Sequence, residues 1–290
     1  MEQQRVIALG FFDGVHRGHQ AILRTASALA AEKGMQSAAV TFESHPRAYV
    51  RGRAPDMIST FRRRCALLQE AGASLVIALP FDRRMAETSP EEFADLLKER
   101  YRCAAVVCGE NFRFGKNAAG KPEDLSRFGL ETHTVPPVTY GGRVISSTYI
   151  RECVRQGKVG LARRLLGRPF ALEGPIVGGF QVGRTLGYPT VNLCVDDGIL
   201  LPRRGVYVTE ALVEGKRLKA VTNVGTRPTF TDADIVSVES YLLDFSGDLY
   251  GEAIQVGFLK FLRPERGFAD GDALREQIGE DIRQALAYRG

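Results

Sequence analysis

Two histidines three residues apart, His16 and His19, lie in the run Gly10-Phe11-Phe12-Asp13-Gly14-Val15-His16-Arg17-Gly18-His19. Imidazoles at that spacing can donate to one anion, stabilising charge that builds on a phosphoryl oxygen during a displacement without being attacked themselves. Gly10, Gly14 and Gly18 permit a tight turn and close approach of a ligand to the backbone. The free amides of a helix that starts here would favour the same anion. A lone glycine-rich turn would carry little weight. Ten residues with two histidines at fixed spacing argue for a nucleotide phosphate site.

Other segments carry groups of the same kind. His45-Pro46-Arg47, taken alone, is an ordinary loop with Pro46 enforcing an extended turn. In Gly109-Glu110-Asn111-Phe112-Arg113-Phe114-Gly115, Asn111 offers a donor and an acceptor, and Phe112 and Phe114 can pack near a flat ring, one of them filling the core. Ser146, Ser147 and Thr148 precede a helix running toward Gln156, so one hydroxyl is a natural N-cap. With Arg151 one turn in, that helix start could also hold triphosphate oxygens. In the second half, Thr190 and Asn192 follow Pro189 at alternate positions, which share a face in a strand. Both can then reach a magnesium ion and the phosphates it bridges, with neutral oxygens that magnesium accepts. Glu239, between Val238 and Ser240, is an unusual charge in an otherwise apolar strand and a candidate general base.

The elements that must position these groups change character along the chain. Apolar strands near residues 5–9, 36–42, 74–79 and 103–108 alternate with helical patterns, and Ser89-Pro90-Glu91-Glu92 has the form of a capping box. Alternation of this kind implies a parallel sheet covered on both faces, with ligands at the carboxyl ends of its strands. The histidine run, Thr41 to Arg47 and Gly109 to Gly115 all fall on that rim, which favours ligand contact for His45. After Leu166 the pattern becomes short β-like runs, at Phe170 to Val177, Gly205 to Val213, Leu218 to Val224, Val236 to Leu243 and Ala253 to Phe261. A final helix spans Ala273 to Ala287. Closely spaced strands with little helix imply an antiparallel barrel. The expected class is α/β, a parallel-sheet domain over residues 1–166 followed by a small barrel over 167–290.

Composition agrees with two ordinary globular domains: 290 residues, 44% hydrophobic and 25% charged. Five cysteines without a C-x-x-C pair suggest neither a disulfide framework nor a zinc site, and fit a reducing cytoplasm. No apolar run is long enough to span a bilayer, so no membrane partner is expected. The net charge of +5 is unevenly spread. Residues 1–168 hold 26 Lys and Arg against 17 Asp and Glu, which suits a site for polyphosphates. Nucleic acid is the lesser reading, because no long basic run or aromatic-interleaved stripe is present. Arg62-Arg63-Arg64, the densest cluster, is expected on a solvated helix face. Nothing in the sequence sets an oligomeric state.

The histidine run resembles the signature of the flavin adenylyltransferase half of the bacterial bifunctional riboflavin kinase and FAD synthetase family. The resemblance continues through Thr41-Phe42-Glu43-Ser44-His45-Pro46-Arg47, Gly109 to Gly115, Ile145-Ser146-Ser147-Thr148-Tyr149-Ile150-Arg151 and on to the C-terminus. Gly183-Arg184-Thr185-Leu186-Gly187-Tyr188-Pro189-Thr190-Val191-Asn192 is similar to the riboflavin kinase signature, and Val238 to Phe245 and Gly247 to Gly251 also match.

The resemblance implies two ATP-dependent, magnesium-assisted steps, riboflavin to FMN in the barrel and FMN to FAD in the first domain. It implies ATP contacts at Gly10, Phe12, Asp13, Gly14, Gly18, Arg143, Ser146, Ser147 and Thr148, with His16, His19 and Arg151 catalytic. It places flavin contacts at His45, Asn111 and Phe112, kinase ATP and metal contacts at Gly183, Arg184, Thr190 and Asn192, and the base at Glu239. Gly178, Val191 and Tyr241 depart from the family pattern, as does the glycine-poor loop Gly179 to Gly183. Two other readings fit parts of the pattern: a barrel that only binds flavin, and a first half acting on RNA as the related aminoacyl-tRNA synthetases do.

Overall fold

The computed structural model describes residues 3–178, 188–227 and 235–289. By its internal contacts the chain divides into two compact units, Met1–Ser147 and Thr148–Gly290.

In the first unit, strands β1 (Arg5–Leu9), β2 (Gln36–Phe42), β3 (Leu75–Leu79), β4 (Cys103–Gly109) and β5 (Glu131–Val135) form a sheet in the order β3-β2-β1-β4-β5. Every pairing is parallel. Both faces are covered, as parallel sheets require, and alternate residues divide between them. Ile7, Leu9, Val40, Val106 and Cys108 pack on one side with Phe93, Leu97 and Leu125. Val6, Ala8, Ala39, Ala105 and Val107 pack on the other with Ile22, Leu23, Ala26, Leu67 and Leu68. These partners come from α1 (Arg17–Glu32), α3 (Phe61–Glu70), α5 (Pro90–Asp95), the helical turn Leu96–Arg100 that continues it, and α6 (Pro122–Arg127); α2 (Pro46–Arg51) and α4 (Arg83–Glu87) are short. The capping box before α5 is present, with both Ser89 and Glu92 bonds made. Sequence order reverses at β1, so a crevice opens at its carboxyl end beside β4.

Three details differ from the sequence expectations. The half-exposed β5 went unanticipated, its polar residues giving no apolar run. His45-Pro46-Arg47 is the start of α2, because His45 Nδ1 accepts the Arg47 N–H at 3.1 Å and Pro46 occupies the first helical position. Arg64 does not lie on a solvated face; it is 1% exposed.

The second unit begins with α7 (Ser147–Arg155), whose first residue belongs to the first unit, and α8 (Val159–Leu166). By contacts these helices group with the barrel, and the Arg203 N–H bonds the Val154 carbonyl at 3.2 Å. Strands β8 (Phe170–Val177), β9 (Thr190–Leu193), β10 (Gly205–Val213), β11 (Lys216–Arg227), β12 (Ile235–Leu242) and β13 (Ala253–Arg263) close a six-stranded antiparallel barrel in the order β10-β11-β12-β9-β8-β13. Gly174 marks its tightest contact, since a Cβ there would stand 1.8 Å from the Cys194 carbonyl oxygen.

The C-terminal helix, Gly271–Ala287, covers one outer face through Ile282 and Ala285 on Val206, Val208 and Val221. Buried Asp281 accepts from Arg263 at 2.8 Å, and Lys219 Nζ caps the helix end on the Leu286 carbonyl at 2.9 Å. Strand residues of opposite parity point into the barrel. There a ladder of hydroxyls links three strands, Thr209 to Thr222 at 2.7 Å and Thr222 to Ser240 at 2.8 Å.

Candidate active sites

The turn after β1 is built by its glycines and by one unusual residue. Phe12 sits at φ 59°, in the left-handed region, and is 1% exposed. Its ring lies across Gly10, where a Cβ would come within 2.8 Å of it. Gly14, at φ +74°, packs on Ile58, and buried Asp13 accepts the Ile58 N–H with both carboxylate oxygens at 3.0 and 3.2 Å. His16 then caps α1: its Nδ1 accepts the His19 N–H at 3.3 Å. With Nδ1 an acceptor, neutral His16 carries its proton on Nε2 and presents a donor there. The rings of His16 and His19 stack with centroids 3.6 Å apart, and Phe12 meets His19 edge-on at 5.2 Å.

These groups wall a cleft of about 400 Å³ at the carboxyl end of β1. Gly10, Phe12, His16, Gly18 and His19 contribute from the turn, Asn111 and Phe112 from the segment after β4, and Ser146 and Ser147 from the far side. Nine residues singled out in the sequence are thereby brought together. Asp13 and Gly14 stand behind the wall as supports, and Ser147 Oγ fixes the two sides together by donating to the Asp13 carbonyl at 3.0 Å. Phe114 is the phenylalanine that fills the core, stacked at 5.9 Å on Phe112. His45 and Arg143 are not on this wall; His45 meets the Phe11 ring at 4.5 Å, and Arg143 is exposed on the hairpin strand β7 (Arg143–Val144), which pairs with β6 (Thr139–Tyr140). Thr148 and Arg151 belong to the second unit, exposed and buried respectively. Sequence reasoning missed Glu110, Pro136 and Pro137 on the wall, which follow from β4 and β5. The Pro-Pro pair after the alternating Thr132, Thr134 pattern was the available signal.

A second cavity, of about 320 Å³, lies in the barrel unit beneath the C-terminal helix. The register explains its chemistry. Glu239 is paired across to Asn192 on one side and Asn223 on the other, and Tyr241 to Thr190, so all five occupy the outer face. Thr190, Asn223, Glu239 and Tyr241 line the cavity together with Arg263, Glu265 and Arg266. Asn192, 5% exposed, is directly beside Glu239 but set deeper. Gly183 and Arg184 lie outside the described residues. Two neutral oxygens next to one carboxylate are a donor set that could hold a hard divalent cation. Among the described residues no group of three His, Cys, Asp or Glu could hold a metal by itself.

A parallel sheet carrying a histidine-lined cleft at its switch point, followed by a closed barrel with a carboxylate and two amides on one face, is the architecture of a nucleotidyltransferase joined to a small-molecule kinase. Profiles for the families described as FAD synthetase and riboflavin kinase match residues 1–149 and 166–289. Proteins named bifunctional riboflavin kinase/FMN adenylyltransferase are similar along nearly the whole chain. That of Listeria monocytogenes is 32% identical, covering 98% of this chain and 92% of its own. Those of Bacillus subtilis and Escherichia coli K12 are 35% and 36% identical, covering 99% and 98% of this chain and 93% of their own. A crystal structure from Streptococcus pneumoniae, described as a macrolide-efflux protein, is 31% identical with a TM-score of 0.93 over 100% of this chain and 96% of that one. In the present chain no helix among the described residues is long and apolar enough to cross a membrane. The chain belongs to the bifunctional riboflavin kinase/FMN adenylyltransferase family.

Proposed function

We propose a division of labour within this bifunctional enzyme, residues 167–290 phosphorylating riboflavin and residues 1–166 adenylylating the product, in the cytoplasm. The observation that carries it is the presence of two cavities, each walled by residues of one unit, with stacked imidazoles in one and a strand carboxylate in the other.

In the barrel, Glu239 takes the proton of the terminal ribityl hydroxyl as its oxygen attacks the outermost phosphorus of ATP, giving FMN and ADP. Thr190 and Asn192 would hold a magnesium ion, with Gly183 and Arg184 as further nucleotide contacts. When bound, the ion neutralises charge on the transferring and leaving phosphates. In the first unit the FMN phosphate attacks the innermost phosphorus of a second ATP, and pyrophosphate leaves. No protein nucleophile is needed. His16 and His19 donate to the oxygens on which charge accumulates. Backbone from Gly10 to Gly18, with Ser146 and Ser147, grips the triphosphate, while Asn111 and Phe112 attend the flavin.

A chromatographic time course with riboflavin and Mg-ATP tests the assignment. His19→Ala is expected to stall at FMN. Glu239→Gln is expected to leave riboflavin unconverted while still converting supplied FMN to FAD. Equal loss of both steps in both variants refutes the division.

A further inference from the structure

We propose that Arg64 is a positioning residue for adenylyl transfer, holding the histidine turn in register from behind through the face of Phe11. The inference rests on the role given above to His16 and His19.

Arg64 projects from α3 into the space between the first two strand exits. Its guanidinium lies 4.2 Å from the centroid of the Phe11 ring, and Nη2 donates to the carbonyls of Phe42 at 2.5 Å and Glu43 at 3.2 Å. One planar cation therefore joins the loop after β1 to the loop after β2. A second bond closes the same junction, from Thr41 Oγ1 to the Phe11 carbonyl at 2.8 Å. From Phe11 the path to the chemistry is one residue long: Phe12, in its left-handed conformation, sets its ring edge-on to His19.

Stability alone does not account for this arginine. It is 1% exposed, and its Nε is buried with no hydrogen-bond partner. An unsatisfied buried donor is destabilising, and a buried charge is more so, whereas an apolar side chain of similar volume would meet neither cost. Burial pulls its pKa below the ordinary guanidinium value, with nearby Asp13 opposing the shift. The guanidinium nevertheless remains charged at any pH at which the enzyme works. What the group supplies is geometry, a flat face for Phe11 and a fork for two carbonyls, which lysine reproduces poorly.

The full-length protein carrying Arg64→Met, Arg64→Lys, Phe11→Leu or the Arg64→Met/Phe11→Leu pair is assayed for FAD formation from FMN and Mg-ATP. Riboflavin phosphorylation and thermal unfolding are measured on the same preparations. Arg64→Met is expected to lower the adenylylation kcat by about tenfold to a hundredfold while KM for ATP and FMN moves less than about threefold, as displaced catalytic groups do. Riboflavin phosphorylation should hold. Arg64→Lys should recover part of the rate, and the pair should lose no more than Arg64→Met alone, because both changes cut one path. An unchanged kcat, a raised KM with kcat kept, additive losses, or a rate loss matching the loss of folded protein each overturns the proposal. His19→Ala runs alongside: if it retains full activity, the histidine assignment is what has failed; if it is inactive while the Arg64 variants are normal, the positioning role alone is wrong.

Discussion

His16 accepts the main-chain N–H of His19 through Nδ1 and stacks its ring on the His19 imidazole at 3.6 Å, so one histidine serves as both helix cap and wall of the cleft. The two roles demand the same tautomer. Nδ1 accepts from the helix backbone, so in the neutral ring the proton sits on Nε2. If His19 acts as proposed, replacing it by alanine should lower adenylylation kcat by about a hundredfold to a thousandfold, by analogy with oxyanion-hole donors. Quantified FAD production from FMN checks this, with riboflavin phosphorylation in the same sample as the reference.

Gly18→Ala separates stability from activity. Gly18 lies inside the first turn of α1, and alanine in a helix interior is favoured over glycine by about 1 kcal/mol, less near an end. The added Cβ would stand 3.1 Å from the His16 ring. The expected variant melts no lower than the parent and adenylylates more slowly. Calorimetry and a rate measurement decide it; a slower enzyme that also melts several degrees lower would contradict the argument.

Glu239→Gln keeps the size and register of the side chain while removing its capacity to take a proton. Riboflavin phosphorylation should fall by about a hundredfold to ten-thousandfold, with riboflavin KM little changed. Steady-state kinetics read both quantities.

Asp281→Ala leaves Arg263 without its bidentate partner beneath the C-terminal helix, where Asp281 is 2% exposed. Breaking a buried pair from one side costs about 3 kcal/mol or more. Denaturant unfolding should show the loss. The cavity lined by Arg263 and Asp281 should also bind riboflavin less tightly in fluorescence titration.

The thiols give a test in alkali. Burial pushes Cys103 and Cys108 up to about 12, in the core of the first unit. Their folded pKa values are raised above the unfolded thiol, so the folded state holds these protons more tightly. The resulting stability is fully present below about pH 8.5 and is lost as the pH climbs toward 12. Denaturant midpoints should fall across that window. At neutral pH iodoacetamide should modify exposed Cys194 first, leaving Cys103 and Cys108 untouched until the protein unfolds.

Much of this arrangement was legible because the signals were periodic or local. Val6 to Leu9 and Ala38 to Val40 are continuous apolar runs, as strands buried on both faces must be, and Thr190 with Asn192 announced a shared face by alternation alone. The glycines and histidines of the first turn are consecutive, so their spacing survived into the fold. What escaped was tertiary. Glu131 to Val135 carries a charge, a histidine and two threonines, because an edge strand is half solvated, and the wall that follows it went unseen. Arg64 looks like its neighbours Arg62 and Arg63; only the strand exits packed around it distinguish a buried guanidinium from two solvated ones. His45 seemed to open a loop because a proline followed, although proline is also well suited to the first position of a helix.

The hydroxyl ladder of Thr209, Thr222 and Ser240 has a consequence for how the barrel assembles. A strand displaced by one position would swing Glu239 into a dry interior and expel Ser240, leaving Thr222 with a carboxylate for company. Misaligned closure is thus penalised at the very place where the proton acceptor must face outward, and the polar rungs act as a proofreading device that admits one alignment of β11 on β12.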